Sequence, residues 1–204
     1  MQNGMDNFLV PSLRKTIEEN LGKKTLNKIE KRLIERHGMS LVPAIKDFNK
    51  FDSVLREFFG AGADSLETKF LQNLVKLEKA KNTNAEWITI QEQELAGIIL
   101  ESFGDHDKKS ILNSVLDKPR IVADILKNCK IPQTSGYRKI NSLIGVGLLI
   151  PNGQSLTPDG KKVIKYETLF TNISIEIEKN FVKVKVQMKE NTIKNSSILQ
   201  VIIT

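Results

Sequence analysis

Apolar residues recur every three to four positions through the first eighty residues and again from about 105 to 146. From about 148 to 188 they recur at every second position. The first period marks one face of a helix, the second one face of a strand. Leu26, Ile29, Leu33 and Ile34 share a helical face. Gly38 supplies a C-terminal stop, and Ser40 with Pro43 a new start. Phe51, Val54, Leu55, Phe58 and Phe59 form a second stripe, ended by Gly60. Asp64 and Glu67 read as a capping box for a third long helix, which presents Leu66, Phe70, Leu71, Leu74 and Leu77.

Residues 79–86 are polar without an apolar period and read as a linker. A short strand is predicted at 87–90, and a helix at 92–102 stopped by Gly104. Three helices follow from Asp105. Ile111, Leu112, Val115 and Leu116 line the first; Ile121, Val122, Ile125 and Leu126 line the second. Ile131-Pro132 makes a turn, and the third runs from about Gln133 to Val146 with Ile140, Leu143 and Ile144 inward. Two short apolar runs at 148–157 flank Asn152-Gly153, a strong hairpin signal. Residues 159–169 fit a short helix or an extended segment. Ile173, Ile175 and Ile177 alternate with polar residues, as do Val182, Val184, Val186 and Met188, giving a second hairpin. On its polar face Glu176 and Glu178 stand opposite Lys183 and Lys185. The final ILQVII reads as a last strand. The fold class is mainly α with β-hairpins. It divides into a helical domain at 8–80, a linker and short helix at 81–104, a basic three-helix-and-hairpin domain at 105–165, and a β-hairpin extension with tail at 166–204.

Charge gives this division a functional meaning. The 204-residue chain carries 31 Lys plus Arg against 24 Asp plus Glu, a net +7. Residues 1–104 hold 15 of each sign, while 105–165 hold 11 basic and 5 acidic side chains, or +6. So local an excess points to a polyanionic partner, nucleic acid before an anionic membrane surface. A second group of cations (Lys23, Lys24, Lys28, Lys31, Arg32 and Arg36) crowds one helix of the otherwise neutral half. One cysteine, Cys129, and two histidines exclude a disulfide framework and a Cys/His zinc site, and fit a reducing, cytoplasmic setting. No metal or cofactor is expected. The start lacks a signal-peptide pattern, and no apolar run reaches the roughly 20 residues that span a bilayer. GAGAD at 60–64 lacks the spacing of a phosphate loop, and no Gly-x-Ser-x-Gly occurs, so a non-enzyme is expected.

Residues 121–157 run in the order of a winged helix-turn-helix: a helix, a tight turn, a recognition helix and a hairpin. A helix fits the major groove of B-DNA, about 12 Å wide. Gln133, Thr134, Ser135, Tyr137 and Arg138 crowd the N-terminal part of the third helix, with Lys139 and Asn141 beyond them. Arg138 suits guanine O6 and N7 or a phosphate; Gln133, Thr134, Ser135 and Asn141 suit base edges or backbone; Tyr137 suits sugar or phosphate; Lys139 suits backbone. In the wing, Asn152, Gly153 and Gln154 form the predicted tip, with Lys161 and Lys162 just past it for phosphate contact.

The stretch ILKNCKIPQTSGYRKINSLIGVGLL resembles the recognition half of winged-helix regulators of the bacterial and archaeal MarR and ArsR type. Ile131, Ile140, Leu143, Gly147 and Leu148 fall at that family's spacing, and SLTPDGKKV resembles its wing closure. Gly136 departs from the pattern at a position usually apolar, and as a helical glycine it is weakening by about 1 kcal/mol relative to Ala. LGKKTLNKIEKRLIERHG and DFNKFDSVLREFFGAGADSLETKFL resemble small helical output domains of ammonia-oxidising archaea, whose activity is undefined. The resemblances imply an archaeal, sequence-specific double-stranded DNA-binding regulator of transcription. A homodimer is expected, because one recognition helix reads only a few base pairs. The N-terminal domain is left for a protein partner or effector. The alternative is a protein–protein interaction module, docking through the winged helix or the helical domain.

Overall fold

In the computed structural model, residues 4–79, 86–179, 181–188 and 196–203 are described, and they form ten helices and seven strands in a mixed α/β fold. The helical first half comprises α1 (Gly4–Leu21), α2 (Lys23–His37), α3 (Leu41–Lys46), α4 (Phe48–Phe59) and α5 (Gly62–Gln72). The predicted stripes supply Leu26, Ile29 and Leu33 of α2, Phe51, Val54 and Leu55 of α4, and Phe70 and Leu71 of α5 to the core, and α1 adds Met5, Phe8, Leu9, Leu13 and Ile17, which none of the predicted stripes included. Ile34 and Phe58 are exposed instead, each at the edge of its stripe. Gly38 ends α2 in the left-handed region, its N–H donating to the Ile34 carbonyl.

The expected capping box is not formed. Helix α5 begins at Gly62, before Asp64, which turns sideways to Arg56 on α4. Glu67 is buried against α4, and this burial, together with the adjacent Asp52, pushes its carboxyl up to about 8. Leu74 and Leu77 lie beyond the helix, because the chain leaves it for a strand, β1 (Val75–Lys79). Strand β1 pairs antiparallel with β2 (Glu86–Ile90), the strand expected at 87–90. Of the expected linker, residues 80–85 lie outside the described residues.

Helix α6 (Gln93–Gly104) is capped by the Glu92 carboxylate, which accepts from the Glu94 and Leu95 amides at 3.0 and 2.7 Å. Next come α7 (His106–Ser114), β3 (Arg120–Ile121), α8 (Val122–Cys129), α9 (Gln133–Gly145), β4 (Leu149–Leu156) and β5 (Lys162–Thr168). Strands β3, β5 and β4 form an antiparallel sheet in that order, with Arg120 opposite Tyr166. Residues 162–168 are therefore extended, which decides between the two conformations their sequence allows. The chain closes with β6 (Phe170–Glu178), β7 (Phe181–Met188) and α10 (Ser197–Ile203).

The last hairpin joins the first. The larger sheet runs β1-β2-β7-β6, and Ile88, Ile90, Val184 and Val186 fill its buried face. On the other face Glu176 stands opposite Lys183 as expected, but Glu178 faces Phe181 and Lys185 reaches Glu78 of β1 at 3.2 Å. The tail expected as a strand is the helix α10. Its start is organised by Ser196, whose Oγ accepts from the Leu199 amide at 3.0 Å and donates to the buried Asp6 of α1. Burial raises the Asp6 carboxyl above its ordinary range, against the hydrogen bonds from Ser196 and Ser197 that favour its charge. One hydrophobic core runs through all these elements except the short β3. At its centre the Phe8 and Phe170 rings meet edge to face, and a Cβ on Gly147 would stand 2.9 Å from the Phe8 backbone nitrogen.

Gly136 has the opposite effect to the one read from its helix propensity. It faces α8, and a Cβ there would stand 2.3 Å from Leu126 Cδ2 and within 3.2 Å of the whole isobutyl end of that buried side chain. Alanine would favour the helix by about 1 kcal/mol, but it would push the buried Leu126 isobutyl group out of its place, and overpacking of this kind costs about 1–3 kcal/mol. Gly136→Ala is therefore expected to lower the denaturation midpoint. Leu126→Ala should cost less in the Gly136→Ala background than in the wild type, as a double-mutant cycle in denaturant will show.

Candidate nucleic-acid interface

Helix α9 is positioned by a short turn. Lys130 ends α8 in the left-handed region with φ 54°, and the Ile131 amide donates to the Leu126 carbonyl. Pro132 then starts α9, its carbonyl accepting from Gly136 N–H at 2.8 Å. Gly136, Ile140 and Leu143 are buried. The opposite stripe (Gln133, Thr134, Tyr137, Arg138, Asn141 and Ser142) is exposed. Five of the residues predicted to contact nucleic acid thus share one face. That face carries no carboxylate, and α9 has no acid in its first turn, so the positive end of its dipole is uncompensated. Ser135 is half-buried at the edge, its hydroxyl donating to the Pro132 carbonyl at 3.2 Å.

Lys139 belongs to a different surface. Its ammonium lies 2.7 Å from Asp105 and 3.2 Å from Asp107, and is largely covered. Asp105 also caps α7, accepting from the Asp107 and Lys108 amides at 2.9 Å each. One carboxylate thus joins the start of α7 to α9, and Lys139 is withdrawn from the exposed stripe. The Lys139 hydrogen bond, followed by that from the Lys108 amide, lowers the Asp105 carboxyl to about 2.

The hairpin tip is displaced from its predicted place. Asn152 and Gly153 lie inside β4, at an irregularity where the register with β5 shifts between Pro151 and Gln154. The chain turns at Thr157–Lys161, where the Thr157 amide donates to the Lys161 carbonyl at 2.9 Å and Gly160 N–H to the Thr157 carbonyl at 2.8 Å. Lys161 is at this tip, paired with Asp159 at 3.0 Å, and Lys162 opens β5. The Asp159 carboxyl is held below its ordinary range by the Thr157 hydroxyl first and Lys161 second. Register places Gln154 opposite Ile164 and Leu156 opposite Lys162, so these four side chains share a face. Leu156 is 67% exposed and Ile164 45%.

Sequence reasoning missed Lys130, Ser142, Leu156 and Ile164. Lys130 was legible as a cation in the turn before the helix. The hairpin pair becomes visible only once the tip is placed at 157–161. Lys130, Arg138 and Lys162 are exposed and make no ion pair among the described residues. On α2, by contrast, Arg32 and Arg36 are both tied to Glu57 of α4.

The low Asp105 pKa has a definite sign. Its contribution to stability is complete above the ordinary aspartate range, near 3.8, and is lost as pH falls through about 2. Asp105→Asn keeps an α7 cap but removes the titration. Wild type is expected to lose unfolding free energy between pH 4 and 2 more steeply than Asp105→Asn, measured by denaturant unfolding at each pH. Comparison with known protein families, curated proteins and solved structures finds no match to this chain.

Proposed function

We propose that residues 105–168 are a winged helix-turn-helix that binds double-stranded DNA and regulates transcription. Helix α8, the turn at Lys130–Pro132 and helix α9 correspond to the helix-turn-helix, and β4 with β5 to the wing. The observation that carries this reading is the exposed stripe of α9. It offers amides, hydroxyls, one guanidinium and one phenol, with no carboxylate to repel phosphate. Arg138 is assigned to a base edge or phosphate, and Gln133, Thr134 and Asn141 to base edges. Tyr137 packs on sugar or phosphate. Lys130 and Lys162 sit where backbone phosphates would flank the helix, and the unopposed N-terminus of α9 favours the same anion. A homodimer would double the few base pairs that one helix reads. The N-terminal helices are left for an effector or protein partner.

One observation favours a second reading, a docking module for another protein: Leu156 and Ile164 are exposed together on the hairpin. Exposed aliphatic side chains beside a lysine suit a protein surface as well as a groove wall.

Salt separates the two. Binding to a pool of random duplexes is expected to weaken with log salt at a slope of about −0.9 per phosphate contact. Lys162→Ala and Lys130→Ala should each reduce the slope by about 1. Arg138→Ala should cost about 1–3 kcal/mol and relax preference at one position if it reads a base. No binding at low salt, or a flat salt response, would overturn the reading and leave the docking module. Fluorescence anisotropy with full-length protein measures all three.

A further inference from the structure

Helices α4 and α5 meet across four charged side chains that lie outside the duplex-binding surface. Asp52 and Arg56 project from α4, Asp64 and Glu67 from α5. Arg56 donates to both Asp64 oxygens, and its Nε lies 2.7 Å from Asp52 Oδ1. Glu67 is left over. It is only 4% exposed, and its Oε1 receives no hydrogen bond from the described residues. Asp52 lies between Glu67 and Arg56, whose Nε is the cation nearest its Oδ1. One carboxylate oxygen from each of Asp52, Asp64 and Glu67 lies within 4.8 Å of the other two.

With all three carboxylates ionised, the cluster and the Arg56 guanidinium sum to a formal −2, part of it buried. A buried carboxylate without a donor is strongly unfavourable unless a cation or a proton meets it. The donor set is all oxygen, which suits hard divalent cations over zinc or copper. With bonds of about 2.1 Å, the oxygens on one magnesium ion stand about 3.0 to 4.2 Å apart, within the 4.8 Å that bounds the three carboxylates. Asp64 is exposed and leaves one side open, as suits an ion that keeps several waters.

We propose that Asp52, Asp64 and Glu67 bind one hard divalent cation, of the magnesium or manganese kind, which ties α4 to α5. Its +2 charge cancels the −2 of the cluster. Arg56, bonded to Asp64 and paired with Asp52, orients both carboxylates. The site does not depend on the duplex-binding reading and stands or falls apart from it.

Full-length protein stripped with EDTA is titrated with manganese chloride, free ion being followed by electron paramagnetic resonance. Thermal unfolding is then compared in magnesium, manganese, calcium and EDTA at one ionic strength. One saturable manganese per chain is expected, with a melting midpoint that rises on loading. Glu67→Gln and Asp64→Asn should each weaken binding at least tenfold, while Asp124→Asn on α8 leaves it unchanged. Asp64 is on the surface, so its variant keeps the test readable should Glu67→Gln unfold. Absence of saturable binding, or affinity unchanged in both variants, overturns the proposal. So does a stripped protein that melts no lower than the loaded one while Glu67→Gln melts higher in EDTA. That outcome would assign the cluster to a proton shared by Glu67 and Asp52.

Discussion

Helix α9 lies so close to α8 at Gly136 that a larger side chain there would displace the isobutyl end of Leu126. This approach sets the rotation of α9 about its own axis. With Gly136, Ile140 and Leu143 turned inward, the stripe from Gln133 to Ser142 has no choice but to face outward. A larger residue at 136 would move the helix away or roll it, and each exposed side chain would be re-aimed. The residue that looks weakest for a helix is thus the one that aims it.

Electrostatics then sorts the cations that composition counts alike. Lys108 is paired with Glu101, Lys139 with Asp105 and Asp107, and Lys161 with Asp159. Arg120 is half-buried, with its Nε on the Ser114 carbonyl at 2.7 Å. Their charges remain, but their positions are committed to holding the fold. Lys127, Lys130, Arg138 and Lys162 are exposed cations around the outward stripe that make no ion pair among the described residues. The local excess of +6 in 105–165 therefore overstates what one surface offers. Long-range attraction draws on the whole sum, whereas local contact draws on these few.

Helices α2, α4, α8 and α9 are legible because each has a stripe at helical period, whereas α1 and α3 show no such stripe in the sequence. What escaped the sequence depends on partners distant in the chain. Asn152-Gly153 and Asp159-Gly160 are equal turn signals locally; pairing of β4 with β5 makes the first an irregularity and the second the turn. ILQVII is apolar but for Gln200, so it has no clear period to read, and its helix is settled by Ser196, Asp6 and packing on α3, α4 and α5. Asp64 with Glu67 imitates a capping box, but Arg56 and the α4 surface claim them. The outward stripe was read almost completely, since burial of Ile140 and Leu143 determines it. The pairing of Lys139 is not visible locally, because Asp105 and Asp107 come more than thirty positions earlier.

The central claim is that the outward stripe of α9 is the surface that meets the duplex. Amide chemical shifts of isotopically labelled full-length protein, recorded during addition of a short duplex at low salt, test this directly. The account predicts perturbations concentrated at 130–142 and 154–165, with the amides of α2 unmoved. Perturbations confined to α2 and the rest of the first half, with α9 silent, would contradict it.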